Sequence, residues 1–163
     1  MLIAILGDIS GGASFGREAL VLQQRCKDRC AEARTAFIVY SALYGWSKPL
    51  QSVLPNLLKT YDAGLHVGDV ESGMLSIYTY LEFKFVLGCP LNQMSDDLQL
   101  YSNQMKHLKR DQTLTIVKLL LQVVNNLVLP GNAKKTDLQG SIVTAQELRS
   151  CQEVPMLIGF TTY

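Results

Sequence analysis

Charged side chains are scarce in this 163-residue chain, and neither sign dominates. Asp, Glu, Lys and Arg make up 18% of the residues, and the formal net charge is +1. A nucleic-acid-binding domain needs Lys and Arg gathered into a dominant basic patch, so nucleic acid is not an expected partner. The length and the 48% content of hydrophobic residues predict one domain with a real core.

Cysteine and histidine are few and poorly spaced for metal binding. No C-x-x-C pair occurs, and neither histidine has a second donor at ligand spacing. A zinc site and a disulfide framework are therefore not expected, and we predict free thiols in a reducing compartment. The residues concerned are Cys26, Cys30, Cys89, Cys151, His66 and His107.

No apolar run in the sequence is long enough to cross a membrane. The longest, 114–129, is interrupted by polar residues such as Lys118 and Gln122, whereas a transmembrane helix needs about 20 predominantly apolar residues. The N-terminal run 2–6 is too short for a secretory signal and has no basic flank, so we interpret it as the end of a helix. These features predict a cytoplasmic protein that does not contact a membrane.

Helical periodicity is the dominant pattern that the sequence does contain. Apolar residues recur three and four positions apart in successive segments, and the turns between them contain Gly, Pro or Asp. This pattern predicts six helices, over 9–27, 31–44, 48–66, 75–86, 90–109 and 111–129.

Individual turn and capping residues refine these boundaries. Gly45 is expected to stop the second helix, and Ser47 to cap the third. Pro55 predicts a kink or a late start in the third helix. Gly88 should end the fourth helix, and Pro90 should occupy the first position of the fifth.

The segment 75–86 has a second interpretation. Its apolar residues alternate with other residues as they would in a strand. Its polar residues instead recur three and four positions apart, as on one face of a helix: Ser72, Ser76, Thr79 and Glu82. We favour a helix, and the strand stays an alternative.

Glycines near the N-terminus suggest an alternative function. The apolar run 2–6 followed by Gly7, Gly11, Gly12 and Gly16 is similar to a strand that enters a phosphate-binding loop. Neither G-x-G-x-x-G nor the Gly-Lys-Ser/Thr of a P-loop is present. A small nucleotide-binding or phosphotransfer protein that uses the loop from Gly7 to Gly16 is the alternative, and close packing of neighbouring helices is the favoured explanation for the glycines.

The remaining polar and aromatic residues form no catalytic set. His66 at a helix C-terminus is expected to be structural, and Trp46 to be a packing anchor. His107 lies in the basic segment 106–110, which is either a partner-binding patch or a solvated helix end. We therefore assign no catalytic, cofactor-binding or metal-binding residue. The sequence also indicates no pair of carboxylates at a substrate pocket among four acidic residues: Glu71, Glu82, Asp96 and Asp97.

Four short runs carry a family resemblance: LGDI followed by FGREAL (6–20), YDAGLHVGD (61–69), FVLGCPL (85–91) and QVVNNL (122–127). In this order they resemble the tetratricopeptide-like helical-repeat region of large multidomain signalling ATPases. In those proteins a serine/threonine-kinase-like domain and an AAA-type ATPase module precede the repeats, and GAF and histidine-kinase domains often follow. The similarity spans about 2–129.

The resemblance implies an all-α fold for residues 1–129. About three antiparallel helical hairpins would stack as a right-handed α-solenoid, and 130–163 would form a loop, a possible short helix and a poorly ordered tail. The Gly7-Asp8 turn would lie within a hairpin, and Gly68-Asp69 would join two hairpins.

The same resemblance limits the expected function. The Walker motif, kinase glycine-rich loop and histidine box of such ATPases are absent, so it implies a non-enzymatic fragment that binds a protein, a peptide or a neighbouring domain, without a cofactor. An incomplete first hairpin would leave Phe15, Leu20 and Leu22 partly uncovered, which predicts marginal stability or self-association.

Overall fold

The structure is a computed structural model that describes residues 7–26, 29–128, 142–144 and 146. All regular secondary structure in these ranges is helical, and no strand occurs among them. The all-α prediction is confirmed, and 75–86 is helix rather than strand. The predicted helix end at 2–6 and the tail at 155–163 lie outside the described residues, as does most of the predicted short helix at 137–149.

The described helices follow the predicted order. Their bounds are α1 (Ile9–Cys26), α2 (Arg29–Ile38), a π-helical segment (Val39–Leu43), α3 (Tyr44–Ser47), α4 (Leu50–Val67), α5 (Val70–Val86), α6 (Leu91–His107) and α7 (Asp111–Val128). The chain divides into two compact units, Met1–Leu87 and Gly88–Tyr163.

The core of the first unit lies where α1, the π-helical segment, α3 and α4 meet. Four buried side chains form its centre: Val39, Tyr44, Val53 and Leu57. Val53 and Leu57 are four positions apart, the helical spacing on which the prediction of this helix depends. The aromatic rings of Tyr40 and Tyr44 pack edge to face, with centroids 5.6 Å apart. The helical pattern therefore identified the core face of α4 correctly.

Two Gly-Asp pairs start helices by the same local chemistry. Gly7 and Gly68 have φ angles of +66° and +83°, which glycine adopts without steric cost. The Asp8 Oδ1 then accepts a hydrogen bond from the Gly11 backbone N–H at 2.8 Å, and the Asp69 Oδ1 accepts one from the Ser72 N–H at 3.2 Å. Each aspartate thus caps the helix that follows it.

The turn at Gly68 closes a hairpin, contrary to the expectation that it joins two hairpins. It connects α4 directly to α5, and these two helices form the most extensively packed pair in the first unit. The backbones approach closely at Gly64 and Gly73. Small residues on both helices permit this contact.

The predicted stop at Gly45 and cap at Ser47 are wrong, because the helix continues through both residues. Gly45 lies inside α3, where a β-carbon would stand 2.9 Å from the Phe83 ring. Ser47 donates its hydroxyl to the Leu43 carbonyl at 3.0 Å. The helix ends at Lys48, whose extended backbone (φ −133°, ψ 156°) is the conformation favoured before a proline.

Prolines mark the starts of α4 and α6. Pro49 and Pro90 each occupy the capping position before the first helical residue, so Pro90 lies one position earlier than predicted. Pro55 lies inside α4, which begins before it at Leu50, and the late start is therefore wrong. Gly88 follows α5 with a φ of +75°, which confirms the predicted end of that helix.

The polar stripe of α5 is buried. Ser72, Ser76 and Thr79 are almost inaccessible to solvent. The hydroxyls of Ser76 and Thr79 donate to carbonyls one turn earlier, at 2.7 and 3.1 Å. Because these two hydroxyls bond to their own helix, they can be buried while keeping hydrogen-bond partners.

The second unit contains the α6–α7 hairpin. Buried apolar residues on the two helices form its interior: Met94, Leu98, Met105, Leu114, Val117, Leu121 and Val124. The Ser95 hydroxyl donates to the Asn125 side-chain oxygen at 3.4 Å and so links the two helices. Val143, from the short described segment after α7, is also fully buried.

Candidate functional site

Two large apolar side chains of α1 are exposed on the same face. Phe15 is 65% exposed and Leu22 is 57% exposed. They are seven residues apart, which is close to two helical turns, so they lie on one side of the helix. Glu18 lies between them, and its carboxylate is 3.9 Å from the Arg17 guanidinium in a solvent-exposed ion pair. We call Phe15, Glu18 and Leu22 the α1 surface.

Two glycines of α1 lie on its buried side. Gly12 and Gly16 are buried, and a β-carbon on Gly16 would stand 2.9 Å from the Leu43 side chain and 3.1 Å from Val39. The predicted close approach of neighbouring helices is thus observed at Gly16. Gly16 thus permits a close approach of α1 to the π-helical segment, and Ala13, Ala19 and Leu20 of α1 also pack against the core. The predicted exposure of Phe15 and Leu22 is observed, whereas Leu20, which was predicted to be uncovered with them, is partly buried and packs against the core.

The segment proposed as a phosphate loop is helical from Ile9 onward. The Gly11 N–H donates to the Asp8 side chain, and the Gly12 N–H donates to the Asp8 carbonyl at 3.0 Å. Gly11, Gly12 and Gly16 therefore lie in the helix rather than in a loop that could surround a phosphate. The nucleotide-binding alternative would also need a strand at 75–86, and this segment is part of the helix α5.

Trp46 is not a packing anchor, because 64% of it is exposed. His66 lies in the last turn of α4, and its Nδ1 is 2.7 Å from the Asp62 carbonyl oxygen, an interaction confined to its own helix. His107 is exposed at the end of α6 with Lys106 and Lys109.

The acidic residues lie in different environments. Asp96 is exposed, whereas Glu71 and Asp97 are partly buried. Burial raises the pKa of Glu82, and burial together with the neighbouring Glu82 carboxylate raises the pKa of Tyr78. Both residues lie in α5.

Metal-binding geometry is absent from the part of the chain that the structure describes. No group of three His, Cys, Asp or Glu side chains there could hold a metal ion. Cys26 and Cys89 are free thiols, while the side chains of Cys30 and Cys151 lie outside the described set.

A second group of polar side chains lies in the α6–α7 unit. Gln122 and Asn126 are nearly inaccessible to solvent, and Gln122 also contacts the backbone of Ile142. In the sequence, Gln122 stands out only as a polar residue that interrupts the apolar run 114–129. Periodicity could not show that a distant segment meets this residue.

The length and apolarity of a helix decide whether it could span a membrane. In the described ranges no helix has the combination of length and apolarity that a bilayer span requires.

Comparison of the chain with protein-family models, curated proteins and solved structures returned no match. The likeness to signalling ATPases therefore stays a prediction.

Proposed function

We propose that this chain is a non-enzymatic helical scaffold that binds a helix of a partner protein through the α1 surface. The observation that carries the proposal is the exposure of Phe15 and Leu22 on one side of α1, while Gly12 and Gly16 are buried and Leu20 packs against the core. Single exposed apolar residues are common on proteins. Two large ones at a spacing of seven instead form a ridge that a partner helix can cover.

The chemistry of the α1 surface defines the partner. An amphipathic helix presents apolar residues at i, i+3, i+4 and i+7, a period that matches the spacing of Phe15 and Leu22. The Arg17–Glu18 ion pair places both charge signs beside the ridge, so a partner helix with flanking charges of both signs fits. Because two side chains offer little area, the contact is expected to be weak and reversible.

Self-association through the same surface belongs to this proposal. A second copy of α1 would cover Phe15 and Leu22 with the same residues, as an isologous contact requires. Sedimentation velocity over a range of concentrations should then reveal a reversible dimer. Phe15→Gln/Leu22→Gln should shift the population to monomer. If the wild-type chain is monomeric at all concentrations, self-association is excluded, and binding to another protein remains the proposed function.

A selection experiment tests the binding function directly. Helical peptides are selected from a random library on the wild-type chain, and their affinities are measured for Phe15→Gln/Leu22→Gln. We expect a loss of about tenfold or more, since interface hot spots are large apolar residues in a contact centre. Leu100→Gln is the matched control, because Leu100 of α6 is also exposed. If the selected peptides bind the double variant as tightly as they bind Leu100→Gln, binding through the α1 surface is contradicted.

We further propose that the scaffold is a coupling segment related to signalling ATPases. Its support is the order of the resembling runs in the sequence, together with the helical nature of the described chain. The genomic sequence on both sides of the reading frame tests this. Walker and kinase motifs upstream would support the relationship, and unrelated coding sequence on both sides would contradict it.

A further inference from the structure

The helical stretch from α2 to α3 contains one widened turn, the π-helical segment. The Tyr44 backbone N–H donates to the Val39 carbonyl, which is five residues earlier rather than four as in an α-helix. Within the same turn, the Ser41 hydroxyl donates to the Phe37 carbonyl at 2.6 Å. The turn therefore holds one extra residue, and this changes which residues before and after it share a face.

The extra residue brings two exposed apolar side chains into line. Two turns of α-helix span about seven residues, so two turns that include the π turn span about eight. Ile38 and Trp46 are eight residues apart and therefore lie on one face. Ile38 is 49% exposed and Trp46 is 64% exposed, and Ala42 lies midway between them, partly buried. We call Ile38, Ala42 and Trp46 the π-turn surface.

The π-turn surface has a raised end, a low centre and a second raised end. Ile38 and Trp46 are separated by roughly 12 Å along the helix axis, and the small side chain of Ala42 lies between them. One bulky apolar side chain of a partner therefore fits over Ala42. Val39 and Tyr44 belong to the buried core, so the surface faces away from it. Turns of this kind are rare and frequently occur at functional sites.

Positive charge lies at both ends of the π-turn surface. Arg34 is exposed one helical turn before Ile38 and so shares its face. Lys48 is exposed two residues after Trp46, and its Nζ is 3.8 Å from the centroid of the Tyr44 ring, which holds the charge at this end of the helix. Within the described part of the chain, neither side chain forms an ion pair with a carboxylate. Acidic groups of a partner are therefore favoured at both ends.

We propose that the π-turn surface binds an acidic amphipathic helix of a partner protein. A bulky apolar residue of that helix inserts over Ala42, between Ile38 and Trp46, and carboxylates beside its apolar stripe meet Arg34 and Lys48. A protein is favoured over an anionic membrane, because recognition of lipid by charge generally takes a cluster of roughly four to eight basic residues and this surface has two. The α1 surface takes no part in this contact.

The fluorescence of Trp46, the single tryptophan of the chain, reports binding at this surface directly. Helical peptides without tryptophan are selected from a random library on Phe15→Gln/Leu22→Gln, so that the α1 surface does not contribute. We expect the selected peptides to be acidic and to move the Trp46 emission to shorter wavelength, since an apolar side chain covers the indole. Failure to select peptides that shift this emission, or a set that is not acidic, would overturn the proposal.

Charge reversal tests the role of the two basic residues. Arg34→Glu/Lys48→Glu should lose about tenfold or more in affinity for the selected peptides, because arginine and charge pairs are common interface hot spots. Lys59→Glu/Lys106→Glu makes the same change in net charge at two other exposed positions and is the matched control. An equal loss in both double variants would assign the effect to net charge and contradict the site.

Ala42→Leu tests the insertion of a partner side chain. It fills the space over position 42 and makes the surface more apolar, so insertion predicts a loss of about tenfold or more, whereas non-specific apolar attraction predicts unchanged or tighter binding. Tighter binding by a folded Ala42→Leu would therefore contradict the proposal. Circular dichroism checks that each variant keeps its helices, and the exposed pair Arg34 and Lys48 provides the test if Ala42→Leu unfolds.

Phosphatidylserine vesicles test the alternative class of partner. We expect them to leave the Trp46 emission of the wild-type chain unchanged. A shift to shorter wavelength with these vesicles, combined with no shift by any selected peptide, would assign the π-turn surface to an anionic membrane and overturn the proposal. Because the peptides are selected without the α1 surface, failure here leaves the function proposed for that surface untouched.

Discussion

Gly64 of α4 and Gly73 of α5 touch backbone to backbone. A β-carbon built on Gly64 would stand 2.9 Å from the Gly73 Cα and 2.8 Å from the Asp69 carbonyl oxygen. Real β-carbons do not approach other atoms so closely, and backbone atoms cannot rotate away as the end of a side chain can. The tightest helix contact in the first unit therefore requires glycine at position 64.

Gly64→Ala should destabilise the chain although alanine favours helix. The intrinsic preference of alanine over glycine is worth about 1 kcal/mol in a helix interior. The overlap with two backbone segments is expected to exceed it and to lower the free energy of unfolding by about 1–3 kcal/mol net. Urea unfolding followed by circular dichroism measures this difference.

Gly73→Ala is the matched comparison on the facing helix. Its β-carbon would meet the Tyr61 carbonyl oxygen at 3.2 Å and the Gly64 Cα at 3.6 Å. This contact is tight but requires only a small shift, so the loss of stability should be smaller than at Gly64. Equal stability of Gly64→Ala and wild type would show that α4 and α5 can separate without cost.

The aspartate caps give a second prediction. Asp69→Ala removes the acceptor for the Ser72 N–H and should lower the free energy of unfolding by about 1 kcal/mol. Asp8→Ala should have an effect of similar size, because Asp8 bonds the Gly11 N–H at the start of α1. Thermal or urea denaturation of the single variants measures both losses.

Asparagine substitutions separate hydrogen bonding from charge in these caps. Asp69→Asn keeps a side-chain oxygen at the capping position and removes the negative charge, so it should retain most of the stability. A loss as large as that of Asp69→Ala would instead assign the effect to the interaction of the charge with the helix dipole.

The positions of the helices could be predicted because local patterns determine them. The core face of α4 and the end of α5 before Gly88 each follow from residues within about two turns. The start of α5 at Val70 lies five residues before the predicted segment 75–86. The stop predicted at Gly45 is wrong for a physical reason. A β-carbon at position 45 would collide with the Phe83 ring of α5, so glycine is needed there for packing, and a contact with a residue so distant in sequence leaves no local signature.

The burial of polar and aromatic residues could not be predicted for a related reason. Periodicity shows which residues share a helix face, but it does not show whether another element covers that face. Ser76 is therefore buried and Trp46 exposed, the reverse of what their polarity suggests. The contact of Gln122 with Ile142 likewise joins two segments through irregular chain, which carries no periodic signal.

The exposure of Trp46 gives a spectroscopic prediction. It is the single tryptophan of the chain, so its fluorescence reports one site. We expect the emission maximum of the folded chain to lie close to that of the unfolded chain, with strong quenching by acrylamide. Trp46→Ala should change the free energy of unfolding by less than about 1 kcal/mol. A blue-shifted emission that unfolding moves to longer wavelength would contradict the exposed position.

Glu82 gives a prediction about pH. Burial raises its pKa in the folded chain, so the folded chain binds the Glu82 proton more tightly than the unfolded chain does. The stability that this proton provides is full below the ordinary glutamate pKa, and it is lost as the pH rises through the raised value. At neutral pH the folded chain therefore carries the cost of a partly buried carboxylate.

Glu82→Gln should remove this cost, because glutamine has nearly the same shape and no charge. The variant is expected to be more stable than wild type at neutral pH, and the difference should shrink as the pH falls toward the ordinary glutamate pKa of about 4.3. Urea unfolding of both chains at several pH values measures it. Glu18→Gln removes the same charge from a side chain that is 67% exposed, and so reports the effect of net charge alone. A gain for Glu82→Gln that increases as the pH falls, or that the Glu18 control reproduces, would show that burial of the carboxylate does not limit stability.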